Sequence, residues 1–340
     1  MKKFFMVAAM ASVVLASCVK NEPVATVEQG DLITFEAPVV APATKANGVG
    51  TVVYPAGDKF FLYGWYHANE NGDFENKYIP GAEISKVDGQ NYFAPSTSYY
   101  WPKSGYLSFF AYSPSALPAD GDGSLVPGSM ELEKSMTLTY TVPSTPEKQA
   151  DVLYSDWAMN KTAQSEVTTV GDYEGVEIVF NHALSAVVFS FSGVANTYQI
   201  NSVTLSGVKE TAVLTSTPTS TSWAAPSGAD VTYNVLGEHE VDGSAEDSDM
   251  FMLIPQGLAS AQLTINYSLK NPSADEWIPQ VAKVIDLNTA VDGSSNAIDK
   301  WVMGTKYTYN VTFGAASIIK FAPSIKTEWV GVTGTVPEIN

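Results

Sequence analysis

KYTYNVTF at residues 306–313 and KFFLYGWY at residues 59–66 are built from aromatic and β-branched residues, and stretches of the same make recur along the chain. Such side chains suit a pleated, half-buried surface and favour strands over helices. Residues 31–40 (DLITFEAPVV), 106–112 (YLSFFAY), 136–142 (MTLTYTV) and 176–180 (VEIVF) belong to the set in the first half. Residues 186–192 (AVVFSFS), 200–205 (INSVTL), 250–254 (MFMLI), 261–269 (AQLTINYSL) and 318–321 (IIKF) continue it in the second. Turn pairs such as Asn71-Gly72, Asp88-Gly89, Asp242-Gly243 and Asp292-Gly293 separate several of them. Apolar spacing at i, i+3, i+4 does not persist beyond two turns, so the pattern predicts an all-β protein.

At 340 residues the chain is long for one core, and two domains of about 130 to 170 residues are the natural prior. The polar stretch at residues 161–175 (KTAQSEVTTVGDYEG) is the expected boundary. This gives two tandem antiparallel β-sandwiches, residues 31–170 and residues 171–340. Residues 115–128 and 216–228, rich in Pro, Gly, Ser and Thr, read as polar loops.

The charge balance narrows the partners. Formal net charge is −18, and all 18 basic residues are Lys, with no Arg anywhere. Phosphate binding needs concentrated Lys and Arg, so a nucleic-acid partner is not expected. Bidentate recognition of phosphate by a guanidinium is also absent from the repertoire.

The N-terminus sets the expected compartment. Lys2 and Lys3 precede a mostly apolar run from Phe4 to Leu15, too short to span a bilayer and laid out like a secretory signal. It ends in Leu15-Ala16-Ser17-Cys18, which resembles the lipobox of bacterial lipoproteins. In that motif, here spanning residues 1–18 with its Cys, the signal is cut before the Cys, and Cys18 then carries the lipid that anchors the chain to the outer membrane. Cys18 is the sole Cys and has no disulfide partner within the chain. Residues 19–30 read as a polar tether.

Catalytic and metal chemistry leave little trace. His67, His182 and His239 each stand alone, and no G-x-S-x-G or H-E-x-x-H motif occurs. Asp120, Asp122 and Glu131 hold the first, third and twelfth positions of a calcium loop, but Leu125 stands where the sharp turn needs Gly. Asp242, Glu246, Asp247 and Asp249 read as a solvated acidic loop. No catalytic residue, metal site or cofactor is therefore expected, and the chain is not read as an enzyme. Trp65, Tyr66, Tyr99, Tyr100 and Trp101 form an aromatic group that suits either core packing or stacking on sugar rings.

Six short segments, in order, carry a family resemblance: FFAYSP at 109–114, ADVLYS at 150–155, FNHALS at 180–185, LIPQ at 253–256, WVMGTKYTY at 301–309 and IKFAP at 319–323, before Trp329. Following a lipobox, they resemble the fimbrillin, or Mfa-like, proteins, which include subunits of type V pili. The resemblance implies two transthyretin-like β-sandwiches, export as a lipoprotein, and assembly with other pilus subunits on the cell surface or in a fimbrium. It also implies that a surface protease removes the first strand and that a strand from another subunit replaces it. Lys45, in PATKANG just after residues 31–40, is the matching processing position. Arg is the usual residue there, so an Arg-specific protease could not act on this chain. Val330, Val332 and Val336 share one face of an extended C-terminal segment. They suit either a donated strand or the last strand of their own domain. The other functional expectation is a monomeric, surface-anchored protein that binds a glycan or host ligand.

Overall fold

The computed structural model describes residues 31–41, 52–55, 57–163, 175–292, 295–314 and 319–326. The fold is all-β, with three sheets stacked in sandwich fashion. Lys306–Phe313 shows why these sequences make strands: Tyr307, Tyr309, Val311 and Phe313 are buried, while the alternate residues are partly exposed. Met136–Thr141 alternates in the same way. Period-two patterning of this kind matches the pleat, which sends successive side chains to opposite faces.

The first sheet runs through Tyr92–Pro95, Asn76–Lys86, Phe60–His67, Tyr106–Ser113, Leu153–Ser155 and Val179–His182, in that spatial order. Phe35–Glu36 pairs with its first strand, and Val39–Val40 with its last. Ala158–Lys161 adds to Tyr106–Ser113. The second sheet centres on Ser185–Gly193, which lies parallel to Lys306–Phe313; that strand in turn pairs antiparallel with Ile319–Lys326. The third is built around Tyr198–Thr217, a strand of 20 residues.

Pairings cross residue 170 in both directions. Met136–Thr141 bonds to Tyr198–Thr217 in the third sheet, whereas Val179–His182 bonds to Leu153–Ser155 in the first. The cores follow the sheets. One cluster, including Phe60, Leu62, Phe93, Leu107, Phe109 and Phe180, lies on one face of the first sheet. The other gathers Tyr63, Trp65, Phe110 and Tyr112 from its opposite face with the apolar residues of the second and third sheets. Alternation along Tyr106–Ser113 explains the split: Leu107, Phe109 and Ala111 face one cluster, Phe110 and Tyr112 the other.

Several further features depart from the sequence expectation. Asn76–Lys86 is an 11-residue strand that composition did not indicate. The stretch 216–228, expected as a loop, contains the end of Tyr198–Thr217, the strand Ser220–Trp223 paired back onto it, and the start of Ser227–Leu236. Antiparallel pairing is not universal either, since Ser185–Gly193 with Lys306–Phe313 and Val39–Val40 with Val179–His182 are parallel. Parallel neighbours need a long connection, and both pairs join strands more than a hundred residues apart in sequence.

Candidate functional site

Residues 31–41 run extended between two strands and bond to both. Toward one neighbour, Ile33 N–H donates to the Tyr99 carbonyl and Trp101 N–H to that of Asp31, both at 2.9 Å. Toward the other, Glu36 N–H donates to Val176 O at 3.0 Å, Val176 N–H to Thr34 O at 2.9 Å, and Ala41 N–H to Phe180 O at 2.8 Å. The order of the first sheet thus starts at Phe35–Glu36 and returns to the same segment at Val39–Val40, with Val52–Val53 paired beyond it. Phe35–Glu36 seals it against Tyr92–Pro95 and Val39–Val40 seals it against Val179–His182, so the sheet closes on itself through its first strand.

Pro38 explains the break between the two short pieces. It has no N–H to contribute to a ladder, and its carbonyl instead accepts from Tyr54 N–H at 2.8 Å. Val52–Val53 then pairs antiparallel with Val39–Val40.

The segment's side chains are part of the core. Ile33 and Phe35 are fully buried, and Val40 and Ala41 nearly so. The Phe35 ring stands edge-on to Phe60 and Phe109, with centroids 6.4 and 5.6 Å away. Tyr54 completes the floor, its ring 5.4 to 6.2 Å from those of Phe180, Phe60 and Phe93. Its hydroxyl shares a 2.8 Å hydrogen bond with Ser113 Oγ. Burial pushes the Tyr54 phenol well above its ordinary pKa. Each large apolar side chain that the strand withdraws from water is worth about 1.5–3 kcal/mol. Removing the strand would expose an apolar trough flanked by two unpaired sheet edges, which is a template for another strand.

The remaining sequence candidates resolve individually. Trp65 and Trp101 are buried, the first with its indole N–H donated to the Glu131 carbonyl at 2.7 Å. They are core residues rather than a stacking platform. His67 is buried between Phe74 and Tyr106, with Nε2 2.9 Å from Ser108 Oγ and Nδ1 2.8 Å from the Asn69 carbonyl. His182 is buried beside Asp151, 2.9 Å from its carboxylate. His239 pairs through its backbone with Ile200. Asp120 is engaged by Lys148, and Asp122 accepts from Ser144 N–H at 2.8 Å, which holds both carboxylates below their ordinary pKa. Among the described residues no cluster of His, Cys, Asp and Glu is arranged to hold a metal ion. Nor, among them, is any helix long and apolar enough to cross a membrane.

Cys18, Lys45, Trp329, Val330, Val332 and Val336 lie outside the described residues. In sequence, Lys45 falls between Val39–Val40 and Val52–Val53, two strands that pair with each other. Residues 92–101 and 176–180 are the two walls around the first strand, a role that the sequence did not indicate even though Tyr99, Tyr100 and Trp101 stood out as an aromatic group. Their role comes from pairing with a segment far away in the chain, which local composition does not encode.

A β-sandwich protein whose first sheet is closed by its own opening strand is the class that this arrangement defines. The sequence model of the fimbrillin-like family matches residues 44–329, and the chain belongs to that family. Among solved structures, a candidate cell adhesion protein from Bacteroides uniformis aligns with a TM-score of 0.50 at 17% identity, over 88% of this chain and 98% of that one. A candidate cell adhesion protein from Bacteroides ovatus aligns at 0.49 and 14% identity, over 89% and 99%. The fimbrial anchor protein Mfa2 from Porphyromonas gingivalis aligns at 0.37 and 12% identity, over 87% and 98%. At 17% identity the likeness to the first of these is one of fold. No curated protein sequence matches this chain.

Proposed function

We propose that this chain is a structural or accessory subunit of a type V pilus, displayed on the cell surface as an outer-membrane lipoprotein and joined to other subunits by strand exchange. The observation that carries the reading is the closure of the first sheet by residues 31–41. A strand bonded on both edges, with Ile33, Phe35 and Val40 buried, leaves a shaped vacancy when it goes. Membership of the fimbrillin-like family supports the same reading and a surface location. In this scheme Cys18 carries the lipid, cleavage after Lys45 frees the first strand, and Val330, Val332 and Val336 supply apolar side chains to a neighbour's trough. The work done is assembly and adhesion, with no catalytic step and no cofactor.

Treating purified precursor with a Lys-specific protease tests the scheme, read as ladders that survive SDS. Wild type should form them, Lys45→Ala should remain monomeric, and Val332→Asp should be cleaved yet fail to polymerise with its monomer melting temperature unchanged. An unpaired carboxylate at the junction is the reason for the last outcome. Ladders of equal strength from Lys45→Ala would overturn the assignment of the control point. Melting of uncleaved Val332→Asp well below wild type would place these valines in the chain's own sandwich.

A further inference from the structure

The first strand is not a regular one. Ile33, Phe35 and Val40 belong to the same apolar cluster, although strict alternation would turn Val40 to the face opposite Ile33 and Phe35. Its bonds to the wall at residues 176–180 locate the shift. The N–H groups of Glu36, Val39 and Ala41 donate to the carbonyls of Val176, Ile178 and Phe180 at 3.0, 3.2 and 2.8 Å. Between the first two bonds the strand advances three residues while the wall advances two; between the last two, both advance two. One extra residue is lodged there, which is a β-bulge. Ala37 is exposed and Pro38 buried, so Ala37 is the residue that stands out.

The trough therefore has a kinked shape, with apolar places at i, i+2 and i+7 and room for a small residue at i+4. Residues 327–340 follow the last described strand, Ile319–Lys326, and carry that pattern. Laid along residues 31–41, residues 328–338 put Val330 on Ile33, Val332 on Phe35 and Pro337 on Val40. Gly334 then falls on Ala37, and glycine is a residue that bulges favour. Val336 falls on the partly buried Val39, while Glu328 and Trp329 fall on the exposed Asp31 and Leu32. Pro337 has no N–H, so the ladder to Val52–Val53 would end at that position.

Neighbouring registers fit worse. Shifts of one or two residues in either direction put Gly331 or Gly334 in the place of Phe35, or Glu328 or Glu338 in the buried place of Ile33 or Val40. The first removes the ring that meets Phe60 and Phe109, and the second buries an unpaired carboxylate. We infer that the trough of one subunit takes residues 328–338 of a second copy in this one register, bulged at Gly334. The inference rests on the strand exchange proposed above and specifies the occupant and its alignment.

Full-length chains in which residues 31–41 are replaced by a copy of the tail test the register without cleavage or assembly. The graft of residues 328–338 should fold and melt several degrees above the grafts of 329–339 and 330–340. In the wild-type chain, deletion of Ala37 removes the bulge but keeps every apolar residue, and should lower the melting temperature by several degrees. Ala37→Gly should change it far less. A shifted graft that melts as high as the graft of 328–338, failure of all three grafts to fold, or an Ala37 deletion as stable as wild type would overturn the inference. Because no graft needs Lys45 to be cut, the two readings fail separately: missing ladders beside a stable graft of 328–338 reject the exchange, and ladders beside a failed graft reject the register.

Discussion

Gly207 shows how much one residue can carry. It lies within Tyr198–Thr217 at φ +71°, and a Cβ there would come within 1.8 Å of the Ser260 carbonyl oxygen. Both the left-handed conformation and the approach of a second backbone require the missing side chain. Neither can relax without moving the chain just before Gln262–Asn271, which pairs with Tyr198–Thr217. Gly207→Ala is expected to cost about 3 kcal/mol of stability, against about 0.5 kcal/mol or less for neighbouring Ser206→Ala. Urea midpoints of the two variants measure the difference, and similar midpoints would refute it. The same glycine limits what the sequence discloses. A Gly after INSVTL reads as a stop, so a strand of 20 residues appears as one of six. By contrast, the aromatic strands were legible as half-buried, and Phe109 and Tyr309 are completely buried; Trp65, which the sequence left open between core and surface, is completely buried too.

Among the elements, legibility depended on whether punctuation residues end a strand or bend it. Pro80-Gly81 in Asn76–Lys86 looks like a turn, yet it sits at a bulge where the register with Phe60–His67 shifts around Gly64. Proline inside a sheet is tolerated at such irregularities. Gly81, at φ +118°, lets the chain pass within 2.8 Å of the Phe61 ring when measured from a would-be Cβ. The opening strand was legible as a strand, but nothing in its sequence said that it bonds to two edges. Its energetic role can be isolated. Phe35→Ala in the intact chain should lower stability by about 3–5 kcal/mol. A chain shortened to begin after residue 41 should melt lower than wild type and recover when a peptide of residues 31–41 is added, because ligands of the folded state stabilise it by mass action. The same peptide carrying Phe35→Asp should give no recovery. Differential scanning fluorimetry reads all three, and full stability of the shortened chain would show that the closing strand is dispensable.

Across the whole molecule, composition was enough for the fold class because strand formation is written locally, in alternation and turn chemistry. Which strands share a sheet was not legible: the polar stretch at 161–175 separates segments in sequence, while pairing sends Met136–Thr141 forward and Val179–His182 back. The shared cores also concentrate tyrosines. Burial raises the phenol pKa of Tyr54, Tyr112, Tyr140, Tyr233 and Tyr309, and pushes Tyr154 up to about 12. A folded value above the unfolded one means that the native chain holds protons the unfolded chain releases. The corresponding stability is complete below about pH 10 and declines as pH rises from there through the folded values. Urea midpoints should accordingly be level from about pH 8 to 9.5 and fall above about pH 10, with absorbance at 295 nm growing together with unfolding. Ionisation of every tyrosine near pH 10 in a chain that stays folded would contradict this. Tyr198–Thr217 has a mechanical consequence as well. At roughly 3.3 Å per residue it reaches about 65 Å if fully extended, bonded to Met136–Thr141 near one end and to Gln262–Asn271 near the other. Antiparallel ladder bonds lie across the strand axis, so tension along that axis loads them in shear, all together, instead of peeling them one by one. The strand is a tie rod for any force that runs along its own axis.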